Sequence, residues 1–326
     1  MNLNDNFKPP LYLRSPLLQS MLNSSSLRNR GRQRVLECEE EVIIDAGSGV
    51  RLQGFLSRHG DRAAKGRVII LHGWEGSARS AYVVHTGEYF FSHGYEVFRL
   101  NFRDHGATHH LNEGLFFGTL IDEVFIAVKH IAEKASCPSF LVGFSLGGSF
   151  AFRIAQRYAA EMADGLRHIV AINPPLDPLK CTRDIDRNFL FREYFLIKWR
   201  RSMKKKQTAF PALYDFRREM TMTTCMEITE SLIRRYSGYA DAADYFSRYT
   251  LTGAVLDGCA VPLAIIMAED DPIVFPGDFR TLRTSGRTRL ILHRYGGHCG
   301  YIQNIRMQSW YQEALRVLFD AAVSGR

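Results

Sequence analysis

Val68-Ile69-Ile70-Leu71, Phe140-Leu141-Val142, Ile169-Val170-Ala171-Ile172 and Leu263-Ala264-Ile265-Ile266-Met267 are short, continuous apolar runs. A strand with one wet face alternates apolar and polar residues, whereas a strand this uniformly apolar is covered on both faces. Helix-like stretches separate the runs, at about 80–92, 120–135 and 147–159. In the second, Ile121, Val124, Phe125, Val128 and Ile131 recur at the spacing of one helical face. Two further strands, Tyr95–Leu100 and Arg289–Leu292, and a closing amphipathic helix over 302–323 complete the rhythm. The expectation is an α/β chain with a mostly parallel, doubly wound sheet. Ahead of it, Glu41–Ile44 and Leu52–Leu56 flank the turn signal Ala46-Gly47-Ser48-Gly49 and read as an antiparallel hairpin at a sheet edge.

The rhythm stops at Asn173-Pro174-Pro175 and resumes near residue 256. Residues 175–255 hold no buried-strand run and carry 15 Lys/Arg against 10 Asp/Glu, so they read as a basic, helical cap inserted between two strands. This gives three parts: an irregular or partly helical lead-in at 1–36, a core at 37–174 and 256–326, and the insertion at 175–255. The 326 residues, 46% hydrophobic and 23% charged, exclude a disordered, collagen-like or coiled-coil chain. No run approaches the ~20 apolar residues of a membrane-spanning helix. Residues 1–20 lack the apolar stretch of a secretory signal, so the expected location is cytoplasmic.

The formal charge of +8 is concentrated in two runs: Arg28, Arg30, Arg32 and Arg34, and Lys198, Arg200, Arg201, Lys204, Lys205 and Lys206. Their ordinary reading is a solvated face. The alternative is attraction to anionic lipid headgroups or acidic substrates, with the basic cap in peripheral contact with an anionic membrane. No nucleic-acid-binding module accompanies them, and no nucleic-acid partner is expected. The six cysteines lie far apart without Cys-x-x-Cys spacing, which suits neither a disulfide framework nor a zinc site. His109-His110 has no carboxylate at ligand spacing and reads as loop surface. Neither metal nor organic cofactor is expected.

Gly143-Phe144-Ser145-Leu146-Gly147-Gly148 directly follows an apolar run and opens a helical stretch. A tight strand-to-helix turn of this kind strains the serine backbone, crowds its neighbours down to glycine, and lifts the hydroxyl clear of the sheet. Serine needs a base to become nucleophilic, and the base needs an acid to orient it. Both should sit in loops after later strands. Glu269-Asp270-Asp271-Pro272 follows one such strand, and Gly296-Gly297-His298-Cys299-Gly300 follows another. His298 is the expected base, its flanking glycines leaving room for the imidazole. Asp271 is the expected acid, since Pro272 fixes the following turn; Asp270 would then be solvated or support the loop. His72-Gly73-Trp74-Glu75-Gly76-Ser77 leaves the central strand where an oxyanion loop belongs, making the backbone N–H groups of Trp74 and Leu146 the expected donors. Cys299 has no glycine elbow of its own and is not expected to act as a nucleophile.

With these motifs placed, the chain resembles an α/β-hydrolase of the YheT-like branch, a group of hydrolases similar to medium-chain acyl ester hydrolases and acyltransferases. The resemblance begins at Leu17-Leu18-Gln19-Ser20-Met21-Leu22 and runs through the two glycine-bearing motifs. It includes Gly238-Tyr239-Ala240-Asp241-Ala242-Ala243-Asp244-Tyr245-Phe246 in the insertion and ends at Gly296–Ile302. Two departures stand out. Asn101-Phe102-Arg103-Asp104-His105-Gly106 replaces the family's Asn-Phe-Arg-Gly-x-x-Gly, and Trp74 replaces a smaller aliphatic residue. The resemblance implies a serine hydrolase cleaving short- to medium-chain carboxylic esters through Ser145, His298 and Asp271. Acyl transfer or thioester cleavage by the same triad, and a non-catalytic membrane-surface binding protein, are the alternatives.

Overall fold

The structure is a computed structural model. It describes the chain apart from residues 1–5, 30, 32, 61, 163–164, 254–255, 257–258, 285 and 325–326; Arg30 and Arg32 of the first basic run therefore lie outside the described residues. In chain order, α1 (Pro16–Asn23) and α2 (Arg34–Glu37) precede the hairpin β1 (Glu39–Asp45) and β2 (Arg51–Ser57). Then come β3 (Arg67–Leu71), α3 (Ala81–Ser92), β4 (Glu96–Leu100), α4 (Ile121–Glu133), β5 (Ser139–Phe144), α5 (Leu146–Met162) and β6 (Leu166–Ile172). Helices α6 (Pro178–Arg187), α7 (Phe189–Ala209), α8 (Cys225–Tyr236) and α9 (Ala242–Ser247) separate β6 from β7 (Leu263–Ala268); β8 (Thr288–His293) and α10 (Trp310–Val323) close the chain.

The eight strands form one sheet in the order β1-β2-β4-β3-β5-β6-β7-β8. Pairing is parallel from β4 through β8, and the β1–β2 hairpin joins antiparallel at one edge. Every residue of β3, β5 and β7 is buried, including Arg67 at the start of β3, whose charge is met by Glu96 at 2.6 Å. One core packs α4, α5 and the insertion against one face, and a second packs α3 and α10 against the other. Because the chain goes from β3 to β4 on one side and returns to β5 on the other, the sheet reverses direction between β3 and β5. A crevice opens at the carboxyl ends of strands at such a point. Leu71 pairs with Gly143 there, so the Trp74 loop and the Ser145 turn leave the sheet side by side.

Among the described residues the insertion contains helices and no named strand, and no helix of the chain is long and apolar enough to cross a membrane. The last helix starts at Trp310 rather than near Ile302. At its start Ser309 N–H donates to Gln312 Oε1 at 3.1 Å, while Ile302 pairs with Ser309 across a turn in which Met307 adopts φ 59°. The basic runs are only partly solvated faces. Arg28 is buried, donating to Asn23 Oδ1 at 2.5 Å and to Ser309 Oγ at 2.8 Å. Lys206 is 1% exposed.

Candidate active site

Ser145 sits in the turn between β5 and α5 with φ 52°, a left-handed conformation that costs a residue with a side chain roughly 1–2 kcal/mol. Its N–H donates to Ile172 O at 2.8 Å, which anchors the turn on β6. The flanking glycines are steric necessities: a Cβ on Gly147 would lie 2.5 Å from His72 O, and one on Gly143 would lie 2.1 Å from Gly147 O.

The structure brings Ser145, His298 and Asp271 together from the ends of β5, β8 and β7. His298 Nε2 lies 2.9 Å from Ser145 Oγ, and His298 Nδ1 lies 2.8 Å from Asp271 Oδ2. The Asp271 carboxylate is fully covered and fully engaged. Its Oδ1 accepts the N–H groups of Ile273 and Val274 at 2.8 and 3.0 Å, and its Oδ2 also accepts Asn173 Nδ2 at 2.6 Å. Asp270 supports the loop instead: its Oδ1 accepts Gly297 N–H at 2.8 Å. Burial raises the Asp270 carboxyl to about 6.

Asn173, at the end of β6, was not singled out by its sequence as a site residue. Its amide bridges Asp271 and Gly297 O, and its Oδ1 accepts the Tyr301 hydroxyl at 2.8 Å. Asn173 has φ 46°, a conformation Asn tolerates better than most residues. Its sequence signal is only its position: an Asn at the carboxyl end of a buried strand, immediately before Pro174-Pro175.

The lead-in is part of the site. Gln19 is fully buried, donating to Leu13 O and Ile302 O at 2.7 and 3.0 Å and accepting Ile302 N–H at 2.7 Å. Ser20 Oγ accepts His298 N–H at 2.8 Å and donates to Pro16 O at 2.7 Å. This clasp also revises the reason for the glycines around His298. Gly297 and Gly300 make room for α1 rather than for the imidazole: a Cβ on Gly297 would lie 2.4 Å from Pro16 O, and one on Gly300 2.7 Å from Gln19 O.

Trp74 and Leu146 line one cavity with Ser145 and His298, and neither backbone N–H donates to an acceptor among the described residues. Gly73 N–H is unavailable, because it donates to Tyr82 Oη at 2.7 Å. The indole of Trp74 is stacked on Phe195 and meets Trp199 edge-on, each with ring centroids 4.9 Å away. A smaller aliphatic residue would not make these contacts with α7. The other departure has a comparable use. Asp104, at φ 56°, accepts Lys206 Nζ at 2.8 Å and Phe116 N–H at 2.9 Å, so a buried ion pair ties α7 to the loop after β4.

Ser145 and His298 stand where two cavities meet. Behind them is an apolar cavity of about 140 Å³ under the insertion, walled by side chains such as Leu146, Ile185, Met203 and Leu232, with Tyr245 and Phe246 contributed by α9. In front is a wider vestibule of about 800 Å³ between α1, the Trp74 loop and α7. His109 is not loop surface: it is buried, with Nε2 2.8 Å from Ser202 Oγ, while His110 is exposed. Cys299 is buried with its Sγ directed at Ile172 O, and burial pushes its thiol well above the ordinary range. Among the described residues no cluster of three or more His, Cys, Asp or Glu is arranged to hold a metal ion.

A sheet reversed at β3/β5, a strained serine at that reversal and a helical insertion over it define a hydrolase architecture. Residues 68–306 match the alpha/beta hydrolase family, and the chain belongs to it. Within the family it falls in the YheT-like branch. It is 23% identical to YheT of Escherichia coli (strain K12), over 77% of this chain and 75% of that protein. It is also 24% identical to a monoacylglycerol lipase of Saccharomyces cerevisiae (strain ATCC 204508 / S288c), over 77% of this chain and 58% of the lipase. The fold matches a hyperthermophilic esterase from Pyrobaculum calidifontis with TM-score 0.56 and 17% identity, covering 95% of this chain and 91% of that one.

Proposed function

We propose that the protein is a serine esterase acting on short- to medium-chain carboxylic esters. The observation that carries this reading is the relay from Ser145 through His298 to Asp271, with contacts of 2.9 and 2.8 Å, at the mouth of an apolar cavity. Ser145 Oγ attacks the acyl carbonyl while His298 Nε2 takes its proton. Asp271, held by four donors, fixes the imidazole tautomer and stabilises the imidazolium that forms. The N–H groups of Trp74 and Leu146 receive the developing oxyanion, a contribution of about 10²–10³ in turnover per donor in comparable sites. His298 returns the proton to the departing alcohol. It then activates water, which releases the acid and restores Ser145.

The apolar cavity receives the acyl chain and the insertion serves as its cap. A cavity of about 140 Å³ compares with the ~150 Å³ apolar cavity that holds benzene in another protein, which suits an acyl group of roughly six carbons. Esterase and lipase names among the relatives support ester chemistry. A p-nitrophenyl ester series tests the reading: kcat/KM should peak between butanoate and decanoate and fall at hexadecanoate. A flat profile, or turnover independent of Ser145, would overturn it.

A further inference from the structure

The vestibule in front of Ser145 carries charge that the ester-hydrolysis reading leaves unused. Lys198, Arg201 and Lys205 lie three and four residues apart on α7 and all line it. At this spacing they share one helical face, where like charges repel and weaken the helix. No carboxylate offsets that repulsion by pairing with them: none of the three forms an ion pair among the described residues. Lys198 Nζ donates to Glu75 O at 3.0 Å and Lys205 Nζ to Gly106 O at 2.9 Å, so both ammonium groups are pinned at the vestibule wall with capacity to spare. Arg201 makes no hydrogen bond to the described residues and is exposed.

The acidic groups facing this stripe do not neutralise it. Asp104 is committed to Lys206. The Glu75 carboxyl has no hydrogen-bond partner among the described residues; burial lifts it to about 8 against the opposing pull of Lys198 and Lys205, so at most one carboxylate faces three cations. Arg79, across the vestibule, shares the single Glu39 carboxylate with the buried Arg99, so that side of the vestibule holds no surplus negative charge either. The two cavities thus differ in kind: an apolar one behind the nucleophile and a cationic one in front.

Building on the serine-esterase reading, we infer that the preferred substrate is an ester whose alcohol portion bears an anionic group of the phosphate type, held in the vestibule by Lys198, Arg201 and Lys205 while the acyl chain occupies the apolar cavity. Arginine's planar fork and the lysine point charges are the groups that recognise phosphate. In the reaction the acyl–oxygen bond breaks, His298 protonates the leaving oxygen, and the phosphate-bearing alcohol departs through the vestibule. Water then supplies the hydroxyl of the acid.

The test compares 1-octanoylglycerol 3-phosphate with 1-octanoylglycerol, which share acyl chain and leaving oxygen. The phosphate ester should have the higher kcat/KM by about ten-fold at low salt, with most of the difference in KM, and the preference should shrink in 0.5 M NaCl. In an Arg201→Gln/Lys205→Gln protein the ratio of the two kcat/KM values should fall about ten-fold, while Arg201→Lys/Lys205→Arg should retain it. A ratio at or below one in the native protein, or one untouched by the glutamines, overturns the inference. Calorimetric titration of the Ser145→Ala protein with n-octyl phosphate and n-octanol reads the vestibule without chemistry. Tighter binding of the phosphate supports the inference even if no ester is turned over, and equal binding overturns it. Turnover of p-nitrophenyl hexanoate separately reports whether the esterase reading stands.

Discussion

Asn173 donates its side-chain amide at 2.6 Å to the same Asp271 oxygen that faces His298 Nδ1. The carboxylate is therefore positioned from the end of β6 as well as from its own loop, and Tyr301 orients the amide by donating to Asn173 Oδ1. Asn173→Gly removes the amide while keeping the φ of 46° accessible. It should lower kcat on a p-nitrophenyl ester by about ten-fold or more with KM within about two-fold, because the loss falls on the transition state. Asn173→Ala adds the left-handed penalty and should be less stable than the glycine variant by about 1 kcal/mol in urea melts.

If His298 is the base of the proposed esterase, the clasp between α1 and the His298 loop should make the first helix necessary for activity. Gln19→Ala would strand the buried N–H and C=O of Ile302. A loss of about 2–3 kcal/mol is expected, with reduced turnover at temperatures where the core remains folded. Unchanged stability by denaturant titration would show that water replaces the glutamine.

Asp104 and Lys206 should behave as a coupled pair. Lys206→Met leaves a buried carboxylate facing no charge of its own and should cost about 3–5 kcal/mol. Asp104→Gly/Lys206→Met removes both charges and relieves the positive φ at residue 104. It should recover much of that loss, giving a coupling of at least about 1 kcal/mol in a double-mutant cycle.

Glu75 provides a pH signature. Burial raises its carboxyl to about 8, so the folded state holds a proton that the unfolded state releases near the ordinary carboxyl range. Stability should therefore decline as pH rises from about 4.5 to 8 through this group and level off above it. Glu75→Gln should match the native protein at pH 4 and exceed it by about 1–2 kcal/mol at pH 9. Parallel melting-temperature curves for the two proteins across that range would contradict this.

The sheet was legible because β3, β5, β6 and β7 are too apolar for any exposed face, and the site was legible because its loops follow those strands. Ser145 and Asp271 come directly after such runs, and His298 lies in the loop after the partly exposed edge strand β8, where parallel topology gathers loop ends at one edge. Contacts without local pattern escaped. The Ser20–His298 bond spans 278 residues, and nothing near Ser20 marks it as a support for a distant histidine. Lys206 reads as one more solvated lysine of a basic run until Asp104 is seen to meet it inside the fold. Arg28 hides for the same reason, its partners lying in α1 and at the start of α10. The helix after His298 starts late because Ile302 is spent on the clasp, a constraint its own amphipathic spacing does not contain.

Stopped-flow hydrolysis of p-nitrophenyl octanoate, paired with intact-protein mass spectrometry of the quenched reaction, tests the proposed chemistry most directly. An ester cleaved through Ser145 should give a p-nitrophenol burst near one equivalent and a protein heavier by one octanoyl group. The added mass should map to Ser145 and be absent from Ser145→Ala. Turnover without an adduct, or an adduct and burst that survive in Ser145→Ala, would contradict an acyl-enzyme on this serine.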